Sequence, residues 1–128
     1  MTRAKGYTSN TGEMVVFART LDLIRWLVPQ AEKFPKNQRF LVTHRLLGAA
    51  FDLQELLFDA NAQKHAERLQ YLTMADAQLS KIRLYLRLAR EWQWLSSGQY
   101  EHVNRMVADI GKLLGGWIKQ TKSVQDSN

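Results

Sequence analysis

Apolar residues recur along most of this chain at intervals of three and four, the period of one face of an α-helix, and no stretch alternates as a strand would. The first such run covers about 13–33, with Met14, Phe17, Leu21, Ile24 and Val28 in step. Pro29 falls inside it, and because proline removes an amide donor and crowds the preceding turn, a kink or an early end is expected there. The segment KFPKNQ then forms a turn. A second helix is expected over about 39–60, with Leu47, Phe51 and Phe58 on one apolar face and Leu46, Ala50, Leu53 and Leu57 on a neighbouring one. After the short break DANAQ, a third helix is expected over about 64–94. LSSGQ makes the next turn, and a fourth helix is expected over about 100–121. Three short connections between four amphipathic helices predict an all-α, antiparallel up-down-up-down four-helix bundle occupying 13–122. The polar ends, 1–12 and 123–128, read as flexible tails.

The third helix carries two stripes. Leu72, Ala75, Leu79, Ile82, Leu86 and Ala89 follow a 3-4-3-4-3 spacing, the contact seam of a bundle helix. Leu84, Leu88, Trp92 and Leu95 fall on nearly the opposite side, and a row of large apolar groups facing outward predicts self-association. Ordinary exposed leucines are the alternative. On the fourth helix Val103, Met106, Val107, Ile110, Leu113, Leu114, Trp117 and Ile118 take core positions. Gly111 and Gly115 lie four apart on the flank. Glycine in a helix costs roughly 1 kcal/mol against alanine, so these two predict close packing, either within the bundle or against another subunit.

Charge narrows the choice of partner. The 128 residues contain 18 Lys and Arg against 12 Asp and Glu, for a net charge of +6, which favours a polyanion or an acidic protein. Arg83, Arg87 and Arg90 occupy an arc of roughly 60° on the third helix, with Lys81 further round, and no acid occurs from Gln78 to Arg90. Arg105, Lys112 and Lys119 repeat every seven residues on the fourth helix, with Lys122 just beyond. Two basic rows suit a phosphate backbone, and RNA held by charge and shape fits better than duplex DNA because no groove-reading motif is present. A solvated basic face, or arginines paired across to Asp52, Glu55 and Asp59, is the competing reading.

Catalysis finds little support. Cysteine is absent, and His44, His65 and His102 are never three or four residues apart, so neither thiol chemistry nor the ExxH pair of di-iron bundles is available. Asp52, Glu55 and Asp59 are the remaining candidates for a cation site, a role a charged helix face seldom plays. Gly111-Lys112 echoes a phosphate loop but lacks the strand and the glycine-rich turn before it. No cofactor is implied. No leader or membrane span is legible, so a cytoplasmic protein is expected.

The stretches ADAQLSKIRLYLRLAREW (Ala75 to Trp92) and GQYEHVNRMVADIGKLLGGWIK (Gly98 to Lys119) resemble the accessory variability determinant family of diversity-generating retroelements. The resemblance extends over about Met14 to Lys122. It is strongest in IRLYLR (Ile82 to Arg87) and IGKLLGGWI (Ile110 to Ile118), while LVPQAEKFPK agrees more loosely with this family and with the bundles encoded in ribosomal RNA intervening sequences. It implies a non-enzymatic homopentamer that binds the element's reverse transcriptase and its structured template RNA, or an RNA/DNA hybrid, to support mutagenic cDNA synthesis. Arg83, Arg87 and Lys112 fall on the shared motifs. Arg90, Lys81, Arg105 and Lys119 join them by helical geometry only, and Leu84, Leu88, Trp92, Gly111 and Gly115 are the expected subunit contacts. A bundle that engages proteins without nucleic acid is the alternative.

Overall fold

The computed structural model describes residues 11–127. It contains four long helices: α1 (Thr11–Ala31), α2 (His44–Asn61), α3 (His65–Glu91) and α4 (Ser97–Ser127). A 3₁₀ turn (Lys36–Gln38) and a π-helical turn (Arg39–Thr43) lead into α2. Each helix packs on the next and α4 closes back on α1, giving the up-down-up-down bundle that the periodicity predicts.

The six seam residues of α3, from Leu72 to Ala89, are all fully buried. They meet Leu46, Ala50, Leu53 and Leu57 of α2 and Val103, Val107, Ile110, Leu114 and Trp117 of α4 in one continuous core. On α1 the buried face is Val16, Thr20, Leu23, Ile24, Leu27 and Ala31. That face is turned from the expected stripe. Phe17 and Val28 are only partly buried, and Leu21 is exposed. The physical reason is that α1 must satisfy α2 and α4 together, so the middle of its apolar arc goes inward and one edge is left outside. Thr20 enters the core because its Oγ1 donates back to the Val16 carbonyl at 2.8 Å, which satisfies the hydroxyl locally. On α2 the Leu47, Phe51 and Phe58 face is likewise the outer flank, with Phe51 and Phe58 exposed.

The helix ends have local causes. α1 continues two residues past Pro29 and then unwinds, as Lys33 and Phe34 donate to Gln30 and Ala31 at 3.1 Å. α3 stops at Glu91, three residues before the expected end. Gln93 adopts φ 64°, Trp94 N donates to Ala89 O at 2.8 Å and Gln93 N to Arg90 O at 3.0 Å, which together form a Schellman turn with a non-glycine residue at its left-handed position. That reversal carries Leu95 into the core, where it is 1% exposed, and removes it from the outward stripe. α4 begins at Ser97, ahead of the expected start, because Ser96 and Gln99 cap it reciprocally: Gln99 N donates to Ser96 Oγ at 3.1 Å and Ser96 N to Gln99 Oε1 at 2.9 Å. At its other end α4 runs on to Ser127, through residues read from sequence as a tail, since no glycine or proline follows Gly116 to stop it. Of the expected N-terminal tail, residues 1–10 lie outside the described residues, as does residue 128; Thr11 and Gly12 belong to α1.

The difference between seam and flank is measurable by chemical denaturation. Leu79→Ala is expected to cost about 2–5 kcal/mol, because it opens a cavity in a packed core. Leu84→Ala, at an exposed position, is expected to change stability by less than about 0.5 kcal/mol. Gly116, where an added Cβ would meet nothing within 4 Å, is expected to gain roughly 1 kcal/mol as alanine.

Candidate nucleic-acid interface

Arg83 defines the centre of the basic surface. It is exposed on the side of α3 that faces α4, and its guanidinium lies over Gly111: a Cβ built there would come within 2.6 Å of Nη2. Gly111 therefore serves an intramolecular purpose, giving the arginine a seat between two helices, with Leu79 Cδ2 beneath at 3.5 Å from the same point. No carboxylate among the described residues pairs with Arg83. Its charge is left un-neutralised.

The other predicted residues divide. Arg87 lies one turn further on and pairs with Glu91 at 3.2 Å, in a bridge whose side chains are 74% and 56% exposed, so solvent screens it and the arginine is readily released. Arg90 is partly buried and Nη1 donates to the Leu95 carbonyl at 3.2 Å, which ties α3 to the turn before α4 and makes it a structural residue. Lys81 is exposed at a position turned away from α4. Arg105 pairs with Glu101 at 2.9 Å and borders a groove on the α1 side of α4, together with Arg19, Asp22, His102 and Asp109. Arg19 and Asp109 close that groove with a 2.9 Å ion pair between α1 and α4. Lys112 and Lys119 are exposed on the outer surface of α4 and take no ion pair among the described residues. The two rows thus belong to different faces. The Arg83 and Arg87 edge lies along the α3–α4 groove, and Arg105 is carried toward α1.

Asp52, Glu55 and Asp59 are exposed on α2 and, among the described residues, pair with none of the arginines of α3. Among the described residues no three His, Asp or Glu side chains gather as a metal site, and no helix is long and apolar enough to cross a membrane.

Of the expected subunit contacts, Leu84 is 52% and Trp92 49% exposed, and Leu88 is half-buried. Trp92 packs at a tilt of 49° against Trp94, 5.1 Å between centroids, and Trp94 in turn meets the buried Phe34 at 5.3 Å, so a row of tilted rings at the end of the bundle terminates in an exposed indole. Gly115 faces open space, unlike Gly111. Sequence reasoning missed Arg68. Its Nε donates to Ala60 O at 3.1 Å and Nη2 to Asn61 O at 3.4 Å, capping the last carbonyls of α2, and its guanidinium lies 5.7 Å from the Trp117 ring centroid. No short motif marks that role, because the partners are main-chain atoms of another helix.

A basic four-helix bundle with an exposed arginine edge and, among the described residues, no gathered metal centre is the class this geometry defines. The sequence model of the bAvd-like family matches residues 14–121, and the chain belongs to that family. This is the group toward which the IRLYLR and IGKLLGGWI motifs point. Among solved structures, a protein of unknown function from the S23 ribosomal protein family of Bacteroides thetaiotaomicron VPI-5482 superposes with a TM-score of 0.77. The alignment covers 84% of this chain and 98% of that one at 22% identity, a likeness of fold alone. No curated protein sequence matches significantly.

The division between structural and free arginines predicts different stability effects. Arg90→Ala is expected to cost about 1–2 kcal/mol, through loss of a charge-assisted hydrogen bond at a partly buried carbonyl, whereas Arg83→Ala stays within about 0.5 kcal/mol. Urea melts followed by far-ultraviolet circular dichroism distinguish the two.

Proposed function

We propose that this chain is the non-catalytic accessory protein of a diversity-generating retroelement, bringing structured template RNA to the element's reverse transcriptase during mutagenic cDNA synthesis. The observation that carries the reading is the Arg83 fork, seated over Gly111 in the α3–α4 groove, exposed and without a carboxylate among the described residues. The planar donors of a guanidinium match phosphate oxygens two at a time. Arg87 beside it surrenders only a solvent-screened partner. Lys112 and Lys119 supply further positive charge on the outer surface of α4, and the net charge of +6 draws a polyanion toward all of them.

Family membership supports association with a retroelement. The polymerase, the RNA and a ring of five copies are the finer parts of the proposal, and exposed Leu84 and Trp92 with open Gly115 are the surface offered for self-association. No chemical step is assigned to the protein. Its contribution is to place one polyanion beside an enzyme that copies it.

Titrating the template RNA over a range of salt concentrations tests the arginine edge. Each phosphate that a cation neutralises contributes roughly 0.7–0.9 to the slope of log K against log salt. Arg83→Ala with Arg87→Ala is therefore expected to lower the magnitude of that slope by about 1.5. Gly111→Ala is expected to weaken RNA binding less than Arg83→Ala while leaving the thermal melt intact, because the obstacle its Cβ meets is the far end of a flexible side chain. A slope unchanged by the double substitution would remove these residues from the interface.

A further inference from the structure

Where α2 turns into α3, the first residues of α3 and the late turns of α4 bound a cavity of about 250 Å³. Its α3 side is Lys64, His65 and Arg68, and its α4 side includes Trp117, Gln120 and Thr121. No carboxylate is among the described residues that line it. Glu67, the acid in the first turn of α3, is exposed and is not one of the described wall residues. Two cations and an imidazole converge on one hollow without an acid, and an anion placed there meets attraction from more than one side.

Arg68 is fixed in the wall by the fold. Its Nε donates to Ala60 O at 3.1 Å and Nη2 to Asn61 O at 3.4 Å, while the guanidinium lies 5.7 Å from the Trp117 ring centroid. Those carbonyls take two of the N–H groups of the fork, and the Nη1 pair has no acceptor among the described residues. Lys64 and His65 are exposed, and neither side chain makes an ion pair or hydrogen bond among the described residues. Trp117 is 5% exposed, yet its indole N–H also has no acceptor among them, although a buried indole usually finds one. That N–H is not sealed from solvent, and Trp117 lines the cavity. Thr121 is already used, since its hydroxyl donates to Trp117 O at 2.8 Å. What the walls leave over is a set of donors.

The backbone agrees in sign. α3 begins without a side-chain cap, so the N–H groups of its first turn add partial positive charge beside Lys64 and His65. His65 has φ 56°, a left-handed conformation that strains a residue with a side chain and that glycine takes freely. The chain has an imidazole at that position, in the wall of the cavity.

Size narrows the ligand. Sites that enclose a whole drug-sized molecule run from roughly 300 to 1,000 Å³, so this one suits a single charged group. Donors stand on both walls, which fits a phosphate monoester with its three acceptor oxygens; an internal phosphodiester has fewer free oxygens and a chain leaving in both directions. Lys119 and Lys122, exposed and without an ion pair among the described residues, add charge on the same turns of α4. We propose that this cavity binds a phosphate monoester, the 5′-phosphorylated end of an RNA strand. The nature of the strand rests on the RNA-binding reading above; the phosphate site does not. Arg68 precedes Arg83 by 15 residues of α3, roughly 22 Å at 1.5 Å per residue, so the cavity is separate from the arginine edge.

The test uses the full chain and two 20-nucleotide single-stranded RNAs of one sequence, labelled at the 3′ end and differing only in a 5′-phosphate or 5′-hydroxyl. Anisotropy is expected to show the phosphorylated strand binding at least fivefold tighter. Lys64→Gln and His65→Gly are each expected to reduce that preference at least threefold and to change the affinity of the hydroxyl strand less than twofold. The His65→Gly variant is expected to melt no lower than the parent, because its φ suits glycine. Arg83→Ala with Arg87→Ala is expected to weaken both strands and keep the preference. Equal binding of the two strands by the parent, or a preference that survives both cavity substitutions, overturns the proposal. So does a phosphoserine peptide that binds as tightly as the phosphorylated strand, which would make this a phosphoprotein site, or inorganic phosphate that does so, which would make it a site for the free ion. If neither strand binds, the RNA reading fails, and calorimetry with uridine 5′-monophosphate against uridine decides the cavity: binding of the nucleotide alone, lost in His65→Gly, upholds the phosphate site, and binding of neither removes it.

Discussion

Everything in this bundle depends on the inward seam of α3. Leu72, Ala75, Leu79, Ile82, Leu86 and Ala89 are each fully buried, and α3 is the helix that meets α2 on one side and α4 on the other. Burying a leucine or isoleucine side chain stabilises by roughly 1.5–3 kcal/mol, and the small side chains of Ala75 and Ala89 let neighbours approach the helix closely near both ends of the seam. Once that seam is inward, the rest of α3 has no choice of direction. Arg83 and Arg87 are carried to the α4 side and Leu84 outward, so the arginine edge is a geometric consequence of the core.

The helix glycines divide by what stands beside them. Gly111 is used by the fold, because Arg83 occupies the space its side chain would take. Gly48, Gly115 and Gly116 lie in helices with open space beside them. A helix that accepts glycine without an internal neighbour gives up roughly 1 kcal/mol against alanine. Gly48 is beside the most apolar flank of the molecule, and Gly115 is on the helix that also carries Lys112 and Lys119.

Charge is distributed by local pairing more than composition suggests. Arg87 and Arg105 each find a glutamate four residues away on their own helix, Arg19 bridges to Asp109, and Arg90 holds a turn carbonyl. What is left un-neutralised is therefore a smaller set than the count of arginines and lysines, and it occupies separate places, among them Arg83 in the α3–α4 groove, Lys81 on the outer side of α3, the lysines of α4, and the cations around the start of α2. Separate places allow separate partners.

The number of helices, their approximate bounds, the buried seam of α3 and the bundle topology were all legible in the sequence, because each depends on the period of apolar residues and on the shortness of the connections. The motifs in α3 and α4 were enough to indicate the family. Two of the helix limits were written locally as well: the Ser96 and Gln99 capping pair is a sequence signal, and the absence of a breaker after Gly116 let α4 continue. The facing of α1 and α2 was decided only by tertiary structure. Both helices have apolar arcs wider than one neighbour can cover, and which edge stays outside depends on how several helices share one core. The Schellman turn at Gln93, which moved Leu95 inward, and the seating of Arg83 on Gly111, far apart in the chain, belong to the same kind. Periodicity reports the faces a helix has; only packing against the other three decides which of them meets water.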